Sequence, residues 1–318
     1  MSERYVVGAD IGGTKVLAAL VSVGAPADPP RVVATRRTAT AADPDRLVAD
    51  TAALVAELAA GAGVRVEAVG LGIPGFVDRG GVARQAPNLP SVIDVDLPAA
   101  LRAATGRPVR ADNDANCAAW AAHRVDAPEA STVVAVTLGT GIGGGLVVDG
   151  RLLRGAHGFA GEPGHMVVDP DGPDCVCGQR GCWEVWASGS GLGRLARRAV
   201  ETGAAPGLAA AAADGPVDGP LVTRLAHAGD AEAEAVLDRF GRWVALGLAN
   251  LANLVDPDVV VLSGGIVEEG VLVLDAVRTH LDGFATFGRG RTIDVRISTL
   301  GPAAGALGAA LLAARDAA

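Results

Sequence analysis

His165, Cys175, Cys177 and Cys182 offer one imidazole and three thiols in the order H-x9-C-x-C-x4-C. That ligand set suits a tetrahedral metal of borderline softness, and zinc above the others. Gly178 and Gly181 lie inside the segment, where a four-ligand loop has to turn tightly. Four ligands close the coordination shell and leave no position for a reacting water, so the expected role of Zn2+ is structural. Cys117 stands alone in an apolar stretch and is not expected to join them. His123, His157, His227 and His280 have no comparable neighbours in sequence.

A second group is Asp112-Asn113-Asp114, at the end of a short apolar segment and the start of a helical one. A carboxylate there can take a proton from a hydroxyl, and an amide beside it can bond a neighbouring hydroxyl. The same residue types also cap helices, and residue type alone leaves both readings open.

Two glycine turns complete the inventory. Asp10-Ile11-Gly12-Gly13-Thr14-Lys15 follows an apolar run, and Gly139-Thr140-Gly141-Ile142-Gly143-Gly144-Gly145 follows another. Main-chain N–H groups without flanking side chains can approach a phosphate closely in such turns. An ordinary hairpin explains either turn taken alone. The order is not that of a Walker A loop, since each turn leads into a strand. Ser263-Gly264-Gly265-Ile266, after a third apolar run, offers a further close approach that would suit a nucleoside.

Taken together, the two turns, the segment Gly161-Glu162-Pro163-Gly164-His165 and the cysteine cluster resemble the ROK family of repressors, open reading frames and kinases. The resemblance runs from Asp10 to about Gly308. It implies an α/β, two-lobed actin-like ATPase (sugar kinase) fold with a zinc-binding loop, ATP being held with Mg2+. It makes Asp114 the catalytic base and assigns sugar contacts to Asn88, Asn113, Asp114, Glu162, His165 and Glu184. Asp10, Gly12, Gly13, Thr14, Lys15, Gly139, Thr140, Gly141, Gly264 and Gly265 would surround the nucleotide. The stretch Cys175 to Glu184 is most similar to that of the family's glucokinases, which implies D-glucose as acceptor. N-acetylmannosamine, N-acetylglucosamine and fructose kinases of the family share most of these residues, as does a non-catalytic sugar-binding regulator. Polyphosphate remains an alternative donor. A homodimer or homotetramer is the implied assembly. Family repressors carry a helix-turn-helix before the first turn, and none is expected here because that turn begins at residue 10.

The elements that must position these residues read as α/β. Arg4 to Ala9, Val66 to Ile73, Val109 to Ala111, Thr132 to Leu138 and Val259 to Leu262 are apolar runs of strand length. Pro44 to Gly61, Asp114 to Val125, Glu232 to Leu254 and Ala303 to Ala314 have helical composition and spacing. Val6-Val7, Asp10 and Gly12 align at a constant offset with Val133-Val134, Thr137 and Gly139, which suggests an internal duplication. The expected division is a small lobe, 1–112, completed by a helix over 301–318, and a large lobe, 113–300. Glu201 to Pro220, rich in Ala, Gly and Pro, is expected to be a surface connection with little function.

Composition sets the outer limits. Half of the 318 residues are hydrophobic and 20% are charged, which describes a packed globular chain. A formal charge of -9 argues against a nucleic-acid partner. No run approaches the ~20 apolar residues of a membrane span, and no leader is apparent, so a cytoplasmic enzyme is expected. Lys15 is the lone lysine; every other basic residue is arginine.

Overall fold

The computed structural model describes residues 3–24, 28–213, 215–268, 271–284 and 292–316. The chain begins with β1 (Arg4–Ile11), β2 (Lys15–Val23), β3 (Arg31–Ala39), α1 (Pro44–Ala62), β4 (Val66–Ile73), β5 (Phe76–Val77), β6 (Ala83–Gln85), α2 (Leu97–Thr105), β7 (Val109–Asn113) and α3 (Asp114–Val125). Five strands form a sheet in the order β3-β2-β1-β4-β7. β1, β2 and β3 are antiparallel hairpin neighbours, whereas β4 and β7 run parallel to β1. β1 and β4 are apolar along nearly their whole length because both faces are covered. Leu47, Leu54, Val55 and Leu58 of α1, with Leu97 and Leu101 of α2, pack on the core cluster that includes Val7, Ile11, Leu20, Val69 and Ile73. The ends of these helices are written locally. Asp43 and Asp96 accept the N-terminal amides of Arg46 and Ala99, and Gly63 and Gly106 close the helices in the left-handed region.

The second sheet repeats the plan. It is built from β8 (Val133–Leu138), β9 (Ile142–Val148), β10 (Arg151–Leu152), β11 (Val259–Ser263) and β12 (Val295–Ile297), in the order β10-β9-β8-β11-β12. β10 is antiparallel to β9, β11 is parallel to β8, and β12 is parallel to β11. The duplication suggested by the offset between the glycine turns is thus repeated in strand order. Between β10 and β12 the chain adds α4 (Trp183–Ala187), α5 (Gly189–Glu201), α6 (Pro206–Ala212), α7 (Gly219–His227), α8 (Ala231–Val255), α9 (Gly265–Glu268) and α10 (Val271–Phe284). The apolar face of α8, from Val236 through Phe240 and Val244 to Leu248, is wholly buried.

α11 (Ala304–Asp316) closes the chain against β1, β4 and α3. Its Ala-Gly composition has a steric reason. A Cβ on Gly8 or Gly70 would overlap the α11 backbone at Ala306 or Ala309, and one on Gly308 would overlap the Cys117 backbone. Helix and sheet therefore touch main chain to main chain. The compact units are Met1–Ala130 with Gly145–Gly161 and Thr299–Ala318, and Ser131–Gly144 with Glu162–Ser298. The first unit extends beyond the Asp112 boundary read from the sequence because α3 packs on α11. Among the described residues, no helix is long and apolar enough to cross a membrane.

Candidate active site

In the first unit, strand register lines up the acidic residues. Asp10 of β1 pairs with Gly72 of β4, and Gly72 pairs with Asp112 of β7, all near the carboxyl ends of parallel strands. A Cβ on Gly72 would lie 3.4 Å from both Asp10 Oδ1 and the Asp114 Cα, which places the two acids on either side of this residue. A Cβ on Gly305, in the first turn of α11, would stand 2.7 Å from the Asp10 carboxyl. Burial pushes that carboxyl up to about 6, and the Lys15 charge pulls it the other way. Lys15 itself is exposed.

Asp112 is buried and accepts from Arg154 Nε at 2.6 Å, Asn116 Nδ2 at 2.9 Å and the Asn113 N–H. Asn113 caps α3, accepting the Asn116 N–H at 3.0 Å, and donates its amide to the Gly75 carbonyl at 2.9 Å. Capping is therefore a real duty of this residue, and one amide hydrogen is left over for a ligand. Asp114 is the first residue of α3, half-buried, with the Ala115 N–H donating to its Oδ1 at 2.8 Å. Neither Arg154 nor Asn116 was singled out by residue type; Arg154 lies outside every motif.

The first glycine turn is fastened by the Gly12 N–H to the Lys15 carbonyl at 2.9 Å and by Thr40 Oγ1 to the Gly12 carbonyl at 2.7 Å. Among the described bonds, the amides of Gly13 and Thr14 have no intramolecular acceptor. Asn88 lies against this turn: a Cβ on Gly13 would sit 3.2 Å from the Asn88 Cβ. Neither Gly12 nor Gly13 has a positive φ. Close approach, not left-handed backbone, is what requires glycine here.

The second unit carries the other turn. Gly139, Thr140 and Gly265 line a cavity of about 540 Å³ with Gly189 and Ser190 at the start of α5. Gly264 adopts φ 98°, and a Cβ there would overlap the Leu138 backbone. The opposite wall includes Asp218, Gly219 and Pro220. All three belong to the Glu201 to Pro220 stretch that its composition marks as a surface connection. The stretch folds partly into α6, and its last residues start α7, Asp218 capping Leu221 N at 2.9 Å. The Asp-Gly-Pro order is a helix-start signal that composition alone obscures.

Cys175, Cys177, Cys182 and His165 present ligand atoms that all lie within 4.8 Å of one another. Cys175 Sγ is 3.8 Å from His165 Nδ1, and Cys177 Sγ is 3.6 Å from Cys182 Sγ. Those are about the edge lengths of a tetrahedron with bonds of roughly 2.1 to 2.3 Å to a central ion. The loop holds that spacing through Gly178 at φ 89° and Gly181 at φ 64°, with Cys175 N–H donating to the Gln179 carbonyl at 2.8 Å. The donor set and its geometry fit a four-coordinate metal. Cys117 is fully buried elsewhere, its Sγ toward the Leu71 carbonyl.

Around the same loop the structure gathers Glu162, His165 and Glu184. Glu162 precedes the short 3-10 turn Pro163–His165. Burial raises its carboxyl above the usual range, with His165 opposing and the Glu184 charge reinforcing the shift. Glu184 lies in the first turn of α4, two residues after Cys182, and accepts the Ile142 N–H at 2.7 Å.

The ROK family model matches residues 6–316. The chain belongs to the ROK family. A glucokinase of Streptomyces coelicolor is 37% identical over 314 residues, covering 96% of each chain. The crystal structure of a ROK family glucokinase from Streptomyces griseus, in complex with glucose and AMPPNP, aligns at 37% identity with a TM-score of 0.81, covering 98% of this chain and 99% of that one. A ROK hexokinase from Thermus thermophilus aligns at 38% identity with a TM-score of 0.79, covering 98% of each chain. The mixed α/β fold described above is the sugar-kinase fold of the ROK family.

Proposed function

We propose that this ROK protein is a glucokinase, transferring the γ-phosphoryl group of ATP to the 6-hydroxyl of D-glucose. The observation that carries this reading is the placement of Asp114 beside Asp10 across Gly72. One carboxylate is set for a hydroxyl proton and the other for the charge of a nucleotide phosphate. Similarity over nearly the whole chain to a glucokinase solved with glucose and AMPPNP supplies the substrates.

Asp114 accepts the hydroxyl proton as the oxygen attacks phosphorus, which is general-base assistance to an in-line displacement. Asn113, with Asn88, Glu162, His165 and Glu184, binds the sugar hydroxyls. The unbonded amides of Gly13 and Thr14, and the turn Gly139 to Gly141, receive phosphate oxygens, and the cavity beside Gly265 receives the nucleoside. Mg2+, entering with ATP, would neutralise phosphate charge near Asp10.

Zn2+ is the metal that the His165, Cys175, Cys177, Cys182 set fits best, and its contribution there is structural. With Nδ1 turned to the thiols, His165 keeps Nε2 for a sugar hydroxyl. The chain works in the cytoplasm as a homodimer or homotetramer. A coupled assay of ADP formation, with and without glucose, tests the function. Glucose-dependent ADP release supports it, whereas glucose binding without turnover would make the chain a sugar-binding regulator.

A further inference from the structure

The first unit holds a cavity of about 520 Å³ that no part of the proposed reaction uses. Five arginines line it: Arg79 after β5, Arg110 of β7, Arg151 and Arg154 in and after β10, and Arg315 in the last turn of α11. Two carboxylates, Asp78 and Asp112, line it too. Asp112 is bridged by Arg154 at 2.6 Å, and Asp78 by Arg84, which lies outside the lining, at 2.6 Å. Arg110 has an interaction of its own, so the positive surplus of this wall comes from Arg79, Arg151 and Arg315, in a chain whose formal charge is -9.

An arginine-rich composition scatters guanidinium groups over a surface; it does not draw five of them from four separate segments to one concavity. Gathering like charges is unfavourable unless an anion offsets them. Arg315 is also oriented, its guanidinium carbon 4.8 Å from the Trp120 ring centroid. Guanidinium groups bind phosphate oxygens bidentately, and a surplus of positive charge selects a ligand with more than one phosphate. The cavity shares no lining residue with the one beside Thr140 and Gly265.

We propose that this arginine-lined cavity is a second anion site, taking a small ligand that carries two or more phosphate groups. The ligand could be a free oligophosphate or a sugar bisphosphate, which share that chemistry. The test is calorimetric titration of the full chain at about 150 mM salt with tripolyphosphate and, separately, fructose 1,6-bisphosphate. Each titration is run alone and with AMPPNP and glucose at saturation. The variants are Arg79→Ala/Arg151→Ala and, as a control of equal charge outside the cavity, Arg36→Ala/Arg37→Ala. All four residues are exposed, so folding is preserved. The expected result is binding of at least one ligand that persists under AMPPNP, weakens at least tenfold in the cavity variant and is unchanged in the control. Absence of binding by both ligands, competition by AMPPNP, or equal weakening in the two variants would overturn the proposal. Because it is read as binding and not turnover, it stands or falls separately from the kinase reading.

Discussion

Glu184 Oε2 accepts a 2.7 Å hydrogen bond from the main-chain N–H of Ile142. The acid that follows the candidate metal ligand Cys182 is thus fastened to the end of the second glycine turn, and Gly141 has no side chain because a Cβ would overlap the Glu184 carboxylate. The proposed sugar contact and the proposed phosphate turn are mechanically one piece. A hydrogen bond to a charged group contributes about 1.5–3 kcal/mol. Glu184→Ala is expected to lower kcat/KM for glucose by about 10- to 100-fold, and Gly141→Ala to do the same by displacing that carboxylate. Steady-state kinetics check this; wild-type kcat/KM in Gly141→Ala would show that the two parts are independent.

Asp10 gives an unusual pH dependence. Its folded-state value of about 6 lies above the ordinary 3.8, so the folded protein holds this proton where the unfolded chain has released it. The stabilisation is complete below pH ~4 and lost as pH rises through about 6. Asp10→Asn is therefore expected to raise the Tm of the unliganded protein at pH 7.5, with the gain shrinking to nothing near pH 4, while kcat falls. Thermal melts from pH 4 to 8 measure it. A Tm gain that is constant over that range would refute the assignment.

Much of the fold was legible because the parallel strands are buried on both faces and read as continuous apolar runs. Val66 to Ile73 is strand from end to end, and Asp114 to Val125 is helix from end to end. The candidate metal cluster was legible because its four donor residues lie close in the chain. The partners of Asp112 were not: Arg154 is brought to it by the β10 segment, and nothing in its local sequence marks it. The cavity wall at Asp218 to Pro220 was hidden in an Ala-, Gly- and Pro-rich stretch. The reason for glycine at Gly141 and Gly305 is a neighbouring carboxylate that only the folded chain brings near.

The metal reading makes a stoichiometric statement, one zinc per chain. Elemental analysis should find it, and Cys177→Ala and Cys182→Ala should lose it together with thermal stability, because structural metal binding is coupled to folding. Trp183 follows Cys182, is fully buried and donates to the Trp243 carbonyl, while Trp186 stacks on Trp243 at 4.8 Å. Metal loss should therefore change tryptophan fluorescence. Cys117→Ala should keep the zinc and the activity. Active protein free of zinc would refute the site.

Specificity is read most directly by comparing kcat/KM for glucose, mannose, fructose, N-acetylglucosamine and N-acetylmannosamine, with ATP and with polyphosphate. Glucose with ATP is expected to lead. A tenfold advantage for another sugar, about 1.4 kcal/mol of transition-state discrimination, would move the acceptor while leaving a sugar kinase.

The proposed chemistry rests on Asp114. Removing a general base costs about 10²- to 10⁴-fold in rate when binding is left alone. The deciding measurement is kcat for Asp114→Ala beside glucose affinity from direct titration. The expected result is a kcat lowered at least about a hundredfold with glucose Kd within a few-fold of wild type. A kcat near wild type would contradict the mechanism.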